Sequence, residues 1–294
     1  MLALAALDPA NPQAVFASFG LLRILAEAGH PARLAWRDGQ HAELHGVDWE
    51  AVAAAVPGIL NVKRAELNWS DTVKKFTRYR ELMADTGHHP WLEAFWLESA
   101  GGKTVETKLD MTAGAQKLFA TVLAMIRHLR DQPVAPLLAR TLREPWDYAD
   151  RVAGLGFDPG AVRSGASVTG GKPPTSAPQA TMSLAGLLAF EALPLLPARW
   201  LGGGRDEIVW ALPERPTGFA KLRQMLLAAP ALRDEELAAQ GWSRWACSIG
   251  RNGKFGFLYP AARTTSDGGN PGDPRITKAL KFQDRHFGKA LYIV

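Results

Sequence analysis

The sequence has almost no cysteine. Cys247 is the single one in 294 residues, so no disulfide can form within the chain. It also lacks an apolar run of membrane-spanning length, because charge interrupts every long run well before about 20 residues. The apolar start from Leu2 to Leu7 has no basic n-region and no cleavage site, and Asp8 follows at once. It reads as a strand rather than a signal peptide. These absences together predict a cytoplasmic protein with no membrane partner.

The familiar catalytic signatures are missing as well. There is no Gly-x-Ser-x-Gly turn to present a nucleophilic serine. Cys247 falls in a strand-like run between Trp245 and Ile249, where a packed thiol is expected. No Cys pair and no His-Glu-x-x-His helix offers metal ligands. His88 and His89 are adjacent and so diverge on a strand or a helix, while His41 and His45 lie on a predicted strand. The stretch Gly165 to Lys172 resembles a phosphate loop, but its spacing is off by one and Pro173 replaces the hydroxyl residue that would hold Mg²⁺. No cofactor and no metal is therefore expected. One enzymatic alternative survives, a metal-dependent nuclease using Asp147, Asp150 and Asp158, since such sites need converging acids. Arg143, Arg151 and Arg163 are interleaved with these acids, which equally suits salt bridging and capping.

What is present is a core and an uneven basic charge. Hydrophobic residues make up 47% of the chain, enough to exclude global disorder. The formal net charge is +5, yet Gly241 to Val294 alone holds nine Lys/Arg against three Asp/Glu. A basic region beside a nearly neutral body points to a polyanionic partner.

The order of elements predicts an α+β fold. Asn11 and Pro12 suit the N-cap and first position of a helix carrying Val15, Phe16, Phe19, Leu22 and Leu25 at helical spacing, ended by Gly29 and Pro31. Gly20 in its middle disfavours the helix by roughly 1 kcal/mol against Ala, which predicts close approach of a neighbouring element. Asp38-Gly39 between two short strand-like runs predicts a hairpin. A helix is expected from Ser70 to Met83, then a hairpin around Gly101-Gly102, then a helix from Thr112 to Arg130. Residues 160–180, rich in Gly, Pro, Ser and Thr, read as a flexible loop or junction between an N-terminal lobe (1–159) and a C-terminal lobe (181–294). That lobe should contain a helix from Met182, a strand from Glu207, a helix from Gly218 and a hairpin turning at Asn252-Gly253. Hairpins separated by helices favour antiparallel sheets packed with helices, as one large domain or two closely packed lobes.

Two basic and aromatic patches are the candidate nucleic-acid-binding residues. The first is Lys74, Lys75, Arg78 and Arg80 on the predicted helix. The second is Arg244, Arg251, Lys254, Phe257, Tyr259, Arg263, Lys278, Lys281 and Arg285. Cations neutralise phosphates, and aromatic side chains on a sheet face can stack bases. Gly253-Lys254-Phe255-Gly256-Phe257 also resembles an RNA-recognition strand. The competing reading is that the aromatic residues are core, since alternation turns half of them inward.

Several stretches, in the same order along most of the chain, resemble a family of CRISPR-associated proteins of type I-G (formerly I-U) systems. They are Asn11-Pro12 with Phe19-Gly20-Leu21-Leu22-Arg23, Leu109 to Lys117, Pro145-Trp146-Asp147-Tyr148, Phe157-Asp158-Pro159, Leu188 to Pro197, and Gly253 to Arg263. After Asp158-Pro159 this chain has Gly160-Ala161-Val162-Arg163 where the family often carries a fuller arginine-rich stretch. The resemblance implies a non-catalytic subunit of a type I CRISPR guide-RNA interference complex acting in antiviral defence. Its implied partners are CRISPR RNA or target DNA, other effector-complex subunits, and as a further candidate the helicase-nuclease. It implies no catalytic residues.

Overall fold

The computed structural model describes residues 1–60, 96–98, 104–106, 109, 118–162, 180–196, 207–229, 232–252 and 255–264. Within them the fold is α+β, with antiparallel sheets and helices around one continuous apolar core.

The core begins with α1 (Pro12–Glu27). Asn11 caps it, its side-chain oxygen accepting from the Gln13 N–H at 3.0 Å, and Pro12 takes the first turn. Every residue from Pro12 to Leu25 is buried, so α1 passes through the interior rather than lying on the surface. Each fully buried Phe or Leu along it contributes roughly 1.5–3 kcal/mol of hydrophobic stabilisation. Gly29, at φ 81°, ends the segment in the left-handed region that glycine adopts without strain.

Four strands cover one part of this core: β1 (Leu2–Ala3), β2 (Arg33–Arg37), β3 (His41–His45) and β7 (Thr217–Gly218), in the order β1-β3-β2-β7. The β2–β3 hairpin turns at Asp38 and Gly39, both at positive φ, as Asp-Gly turns favour. α2 (Trp49–Ala55) follows, capped by Asp48, which accepts from the Ala51 N–H at 2.8 Å. β4 (Trp96–Glu98) and β5 (Thr104–Glu106) form a separate antiparallel pair.

Next come α3 (Leu118–Leu129), α4 (Val134–Leu138) and a π-helical turn at Ala139–Arg143. After the one-turn α5 (Pro159–Val162), α6 (Ser183–Glu191) is apolar all round and buried at every position, which makes it the second central helix. α6 packs along α1, and at the contact Gly20 sits against the Leu188 carbonyl, where any Cβ would overlap it. The close approach expected at Gly20 is therefore present. A buried ion pair ties the same two helices: Arg23 Nη1 donates to Glu191 Oε2 at 3.0 Å and to the Glu191 carbonyl at 2.9 Å.

The second sheet is antiparallel, with β10 (Ala262–Arg263) and β6 (Glu207–Pro213) on either side of β8 (Trp242–Asn252), and β9 (Phe255–Leu258) pairing the far end of β8. α7 (Phe219–Ala228) and α8 (Asp234–Ala239) connect β6 and β7 to β8. Trp210 of β6 reaches the core edge-on to Phe16 at 5.4 Å, and Phe16 meets Phe157 at 5.9 Å. No helix among the described residues is long and apolar enough to cross a membrane.

The helix expected at Ser70–Met83 and the loop expected at 160–180, apart from Gly160–Val162 of α5 and Ala180, lie outside the described residues.

Candidate nucleic-acid interface

The strand β8 separates two faces by simple alternation. Ser243, Trp245, Cys247 and Ile249 are buried, and Leu258 of β9 joins them opposite Ile249. Cys247 is a packed core thiol, as expected. Ala246, Ser248 and Gly250 occupy the other face, where Ala246 and Gly250 are also buried and Ser248 is half-buried, with Val209 of β6 beside Ala246 and Phe257 of β9 beside Gly250. Tyr259 continues the register beyond β9, its N–H donating to the Ser248 carbonyl at 2.9 Å.

On that face Phe257 and Tyr259 meet edge to face, 5.1 Å apart at 68°. Both rings lie over Gly250, and a Cβ there would collide with them. Glycine in a strand weakens the strand but permits such close coverage. Phe257 is half-buried while Tyr259 is 49% exposed; among the described residues Met1 is the other large apolar side chain so open to solvent. The two aromatics singled out in the sequence are thus neighbours on one sheet face. Gly250, the floor beneath them, was not singled out, though an isolated glycine in a strand run was its signal.

The cations occupy different settings. Arg244 is held inside the fold: its guanidinium donates to Asp234 and to the Leu232 carbonyl. Arg263 is largely exposed and donates to Glu214 at 2.9 Å, beside the Gly39 turn and Trp245. Arg251 stands on β8 opposite Gly256, at the rung next to the Gly250–Phe257 pair. Lys74, Lys75, Arg78, Arg80, Lys254, Lys278, Lys281 and Arg285 lie outside the described residues.

The three acids of the nuclease alternative occupy two unlike sites. Arg140, on the π-helical turn, takes Asp147 as a bidentate partner at 3.0 and 2.9 Å and reaches Asp150 Oδ1 at 3.1 Å. Asp150 also accepts from the Ser183 N–H at 2.7 Å, which caps α6 from another segment, and contacts His128 Nε2 at 3.2 Å. The Arg140 hydrogen bond holds Asp147 below the usual carboxylate value. Burial alone would raise Asp150, but the Ser183 N–H, the Arg140 charge and His128 outweigh it and hold it low. Arg140, the hub of this cluster, was not foreseen from the sequence.

Asp158 sits elsewhere, at the N-terminus of α1. Its Oδ1 accepts from Asn11 Nδ2 at 2.9 Å, the Gly160 N–H at 2.8 Å and the Tyr148 hydroxyl at 3.4 Å. Its Oδ2 is buried with no protein partner, and burial raises its pKa despite these donors. Tyr148 adopts φ 52°, left-handed backbone that costs of order 1–3 kcal/mol for a bulky residue. Among the described residues no three His, Cys, Asp or Glu side chains gather as metal ligands would.

No family model matches the chain, and no curated protein matches it significantly.

Proposed function

We propose that this protein is a non-catalytic subunit of a type I CRISPR guide-RNA interference complex that binds the nucleic-acid backbone and neighbouring subunits. The observation that carries the binding part is the Phe257–Tyr259 pair, whose Tyr259 is 49% exposed, within the basic stretch from Gly241 to Val294. Phosphate neutralisation supplies affinity there, and an exposed ring offers a surface for bases. The CRISPR assignment rests on the ordered family-like stretches, of which Asn11, Gly20, Arg23, Tyr148 and Asp158 now have structural work: capping, close helix packing, a buried ion pair and the cluster at the start of α1.

The test is to purify the tagged full chain from its own host and to analyse what comes with it. RNA bearing CRISPR repeat sequence, together with effector subunits, is the expected result. Recovery of the chain without either would overturn the assignment.

A further inference from the structure

We infer that the cleft between the Leu4–Pro9 segment and the β2–β3 turn receives an arginine side chain of a neighbouring protein subunit, with Asp8 as its charge partner. This rests on the reading of the chain as a subunit of an assembly and names one of its contacts.

The cleft has a volume of about 350 Å³ and is lined by the segment from Leu4 to Pro9 together with Gln40 and His41. It opens where β1 runs out. The Leu4 N–H still donates to the Ala42 carbonyl at 2.8 Å, and the chain then turns, the Leu7 N–H donating to the Leu4 carbonyl at 3.0 Å. The turn leaves the carbonyls of Ala5, Ala6 and Leu7 with no hydrogen-bond partner among the described residues. Leu7 is buried, so its carbonyl has little access to water. Asp8 follows and is exposed. Its Oδ1 accepts from the Ala10 N–H at 2.8 Å, which holds the carboxylate in place. No cation among the described residues pairs with it, and its Oδ2 has no partner there.

The carboxylate decides the sign of the occupant. A phosphate would be repelled by Asp8, so this cleft does not take nucleic-acid backbone. A divalent metal ion needs several charged or chelating side chains, and no three His, Cys, Asp or Glu gather among the described residues. A monovalent organic cation matches one carboxylate. Guanidinium matches the rest of the lining. Its five N–H donors can serve the carboxylate and the main-chain carbonyls together. Its apolar stem suits the buried Leu4, Leu7 and Pro9, and its flat face suits the exposed His41 ring. An ammonium group, a point charge with three donors, would meet fewer of these acceptors. Arginine seated in a pocket is also among the side chains that carry most of the energy of protein interfaces. A carboxylate fixed before binding loses little conformational entropy when the partner arrives.

The experiment titrates the full, isotope-labelled chain with a blocked Gly-Arg-Gly peptide at millimolar concentration and follows the amide signals of Ala5, Ala6, Asp8 and His41 by NMR. The control peptide carries citrulline, which keeps the shape of arginine and loses its charge. Saturable shifts confined to the cleft amides are expected with the arginine peptide, and binding about tenfold weaker with the citrulline peptide. Asp8→Asn should weaken the arginine peptide to the same degree. Its side-chain oxygen can still accept from the Ala10 N–H, and a melt equal to wild type would show that the turn is kept. Equal affinity for the two peptides, or no loss in Asp8→Asn, would overturn the charge pairing. Absence of saturable shifts at these amides, or the same shifts on adding a single-stranded oligonucleotide, would overturn the arginine cleft itself. None of these failures touches the subunit reading, which stands or falls on what copurifies with the wild-type chain.

Discussion

Gly20 of α1 lies directly beneath the Leu188 carbonyl of α6, with no room for even one carbon between them. This contact sets the distance between the two central helices, and the Arg23–Glu191 pair just beyond it sets their register. Both sheets rest on this helix pair, through α1 to β2 on one side and Phe16 to Trp210 on the other.

Gly20→Ala should therefore destabilise the protein despite the better helix propensity of alanine. The propensity gain is about 1 kcal/mol. Forcing a methyl group against backbone has no flexible neighbour to absorb it, and overpacking of this kind costs typically 1–3 kcal/mol or more. A net loss of roughly 2 kcal/mol in a denaturant melt is expected. A variant as stable as wild type would mean that the helices separate freely.

Arg140→Ala should be more damaging than its partial exposure suggests. It removes the shared partner of two acids, one of which, Asp150, is buried and caps α6. Breaking a buried pair costs about 3–5 kcal/mol, and the partial exposure of Arg140 places the expectation near 3 kcal/mol. Asp147 and Asp150 have lowered pKa values, so their stabilisation is present above the unfolded carboxylate pKa and is lost as pH falls through the folded values. The variant should accordingly lose the part of the acid-side fall that Asp147 and Arg140 supply, while the Ser183 N–H and His128 still hold Asp150 low. An acid limb unchanged from wild type would count against Arg140 as its origin.

Asp158 should act with the opposite sign. Its folded pKa is raised by burial, so it favours the folded state at low pH and loses that advantage as pH rises from the unfolded value through the folded one. Asp158→Asn cannot ionise, and its carbonyl can still accept from Asn11 and Gly160. The difference in melting temperature, variant minus wild type, should therefore grow from about pH 4 towards pH 7. A constant difference would show that Asp158 ionises as easily folded as unfolded.

How much of this was legible in the sequence follows from range. The cap at Asn11-Pro12, the Asp38-Gly39 turn and the closing hairpin are local signals; the first two appear where expected, and the hairpin is present with Asn252 paired to Phe255 as a strand residue rather than in the turn. Gly20 announced a close neighbour but could not name Leu188, which lies far along the chain. The three acids looked like one cluster because they are near in sequence. The fold instead gives two of them to Arg140 and the third to Asn11 and Gly160, and no spacing rule encodes that division. The same limit applies to Arg244: its charge was visible, but its partners Asp234 and Leu232 were not.

That division bears on activity. Asp147 and Asp150 are both turned onto one guanidinium, and Asp158 is buried apart from them, so the purified chain is expected not to cut DNA or RNA with Mg²⁺ or Mn²⁺. Cleavage that disappears in Asp147→Ala or Asp158→Ala would restore the nuclease alternative.

The cations of the C-terminal region should separate into two classes when replaced by alanine. Arg244 is the fold-bound case. Its side chain is mostly buried and donates to Asp234 and to a main-chain carbonyl at Leu232, so Arg244→Ala leaves both acceptors without their donor. Hydrogen bonds to charged groups contribute about 1.5–3 kcal/mol, and a loss of stability in that range is expected. The salt dependence of binding should then remain that of wild type. Lys254, Lys278 and Arg285 form the other class, read from the basic excess of their region. Their alanine variants should melt with wild type, weaken binding equally for all sequences, and each reduce the slope of log affinity against log salt by about 1. Titrations at two ionic strengths, with a melt of each variant, distinguish the classes. If Arg244→Ala lowered the salt slope without lowering the melting temperature, its guanidinium would be reaching phosphate rather than Asp234. If the lysine variants left the slope untouched, the basic excess would serve protein partners instead.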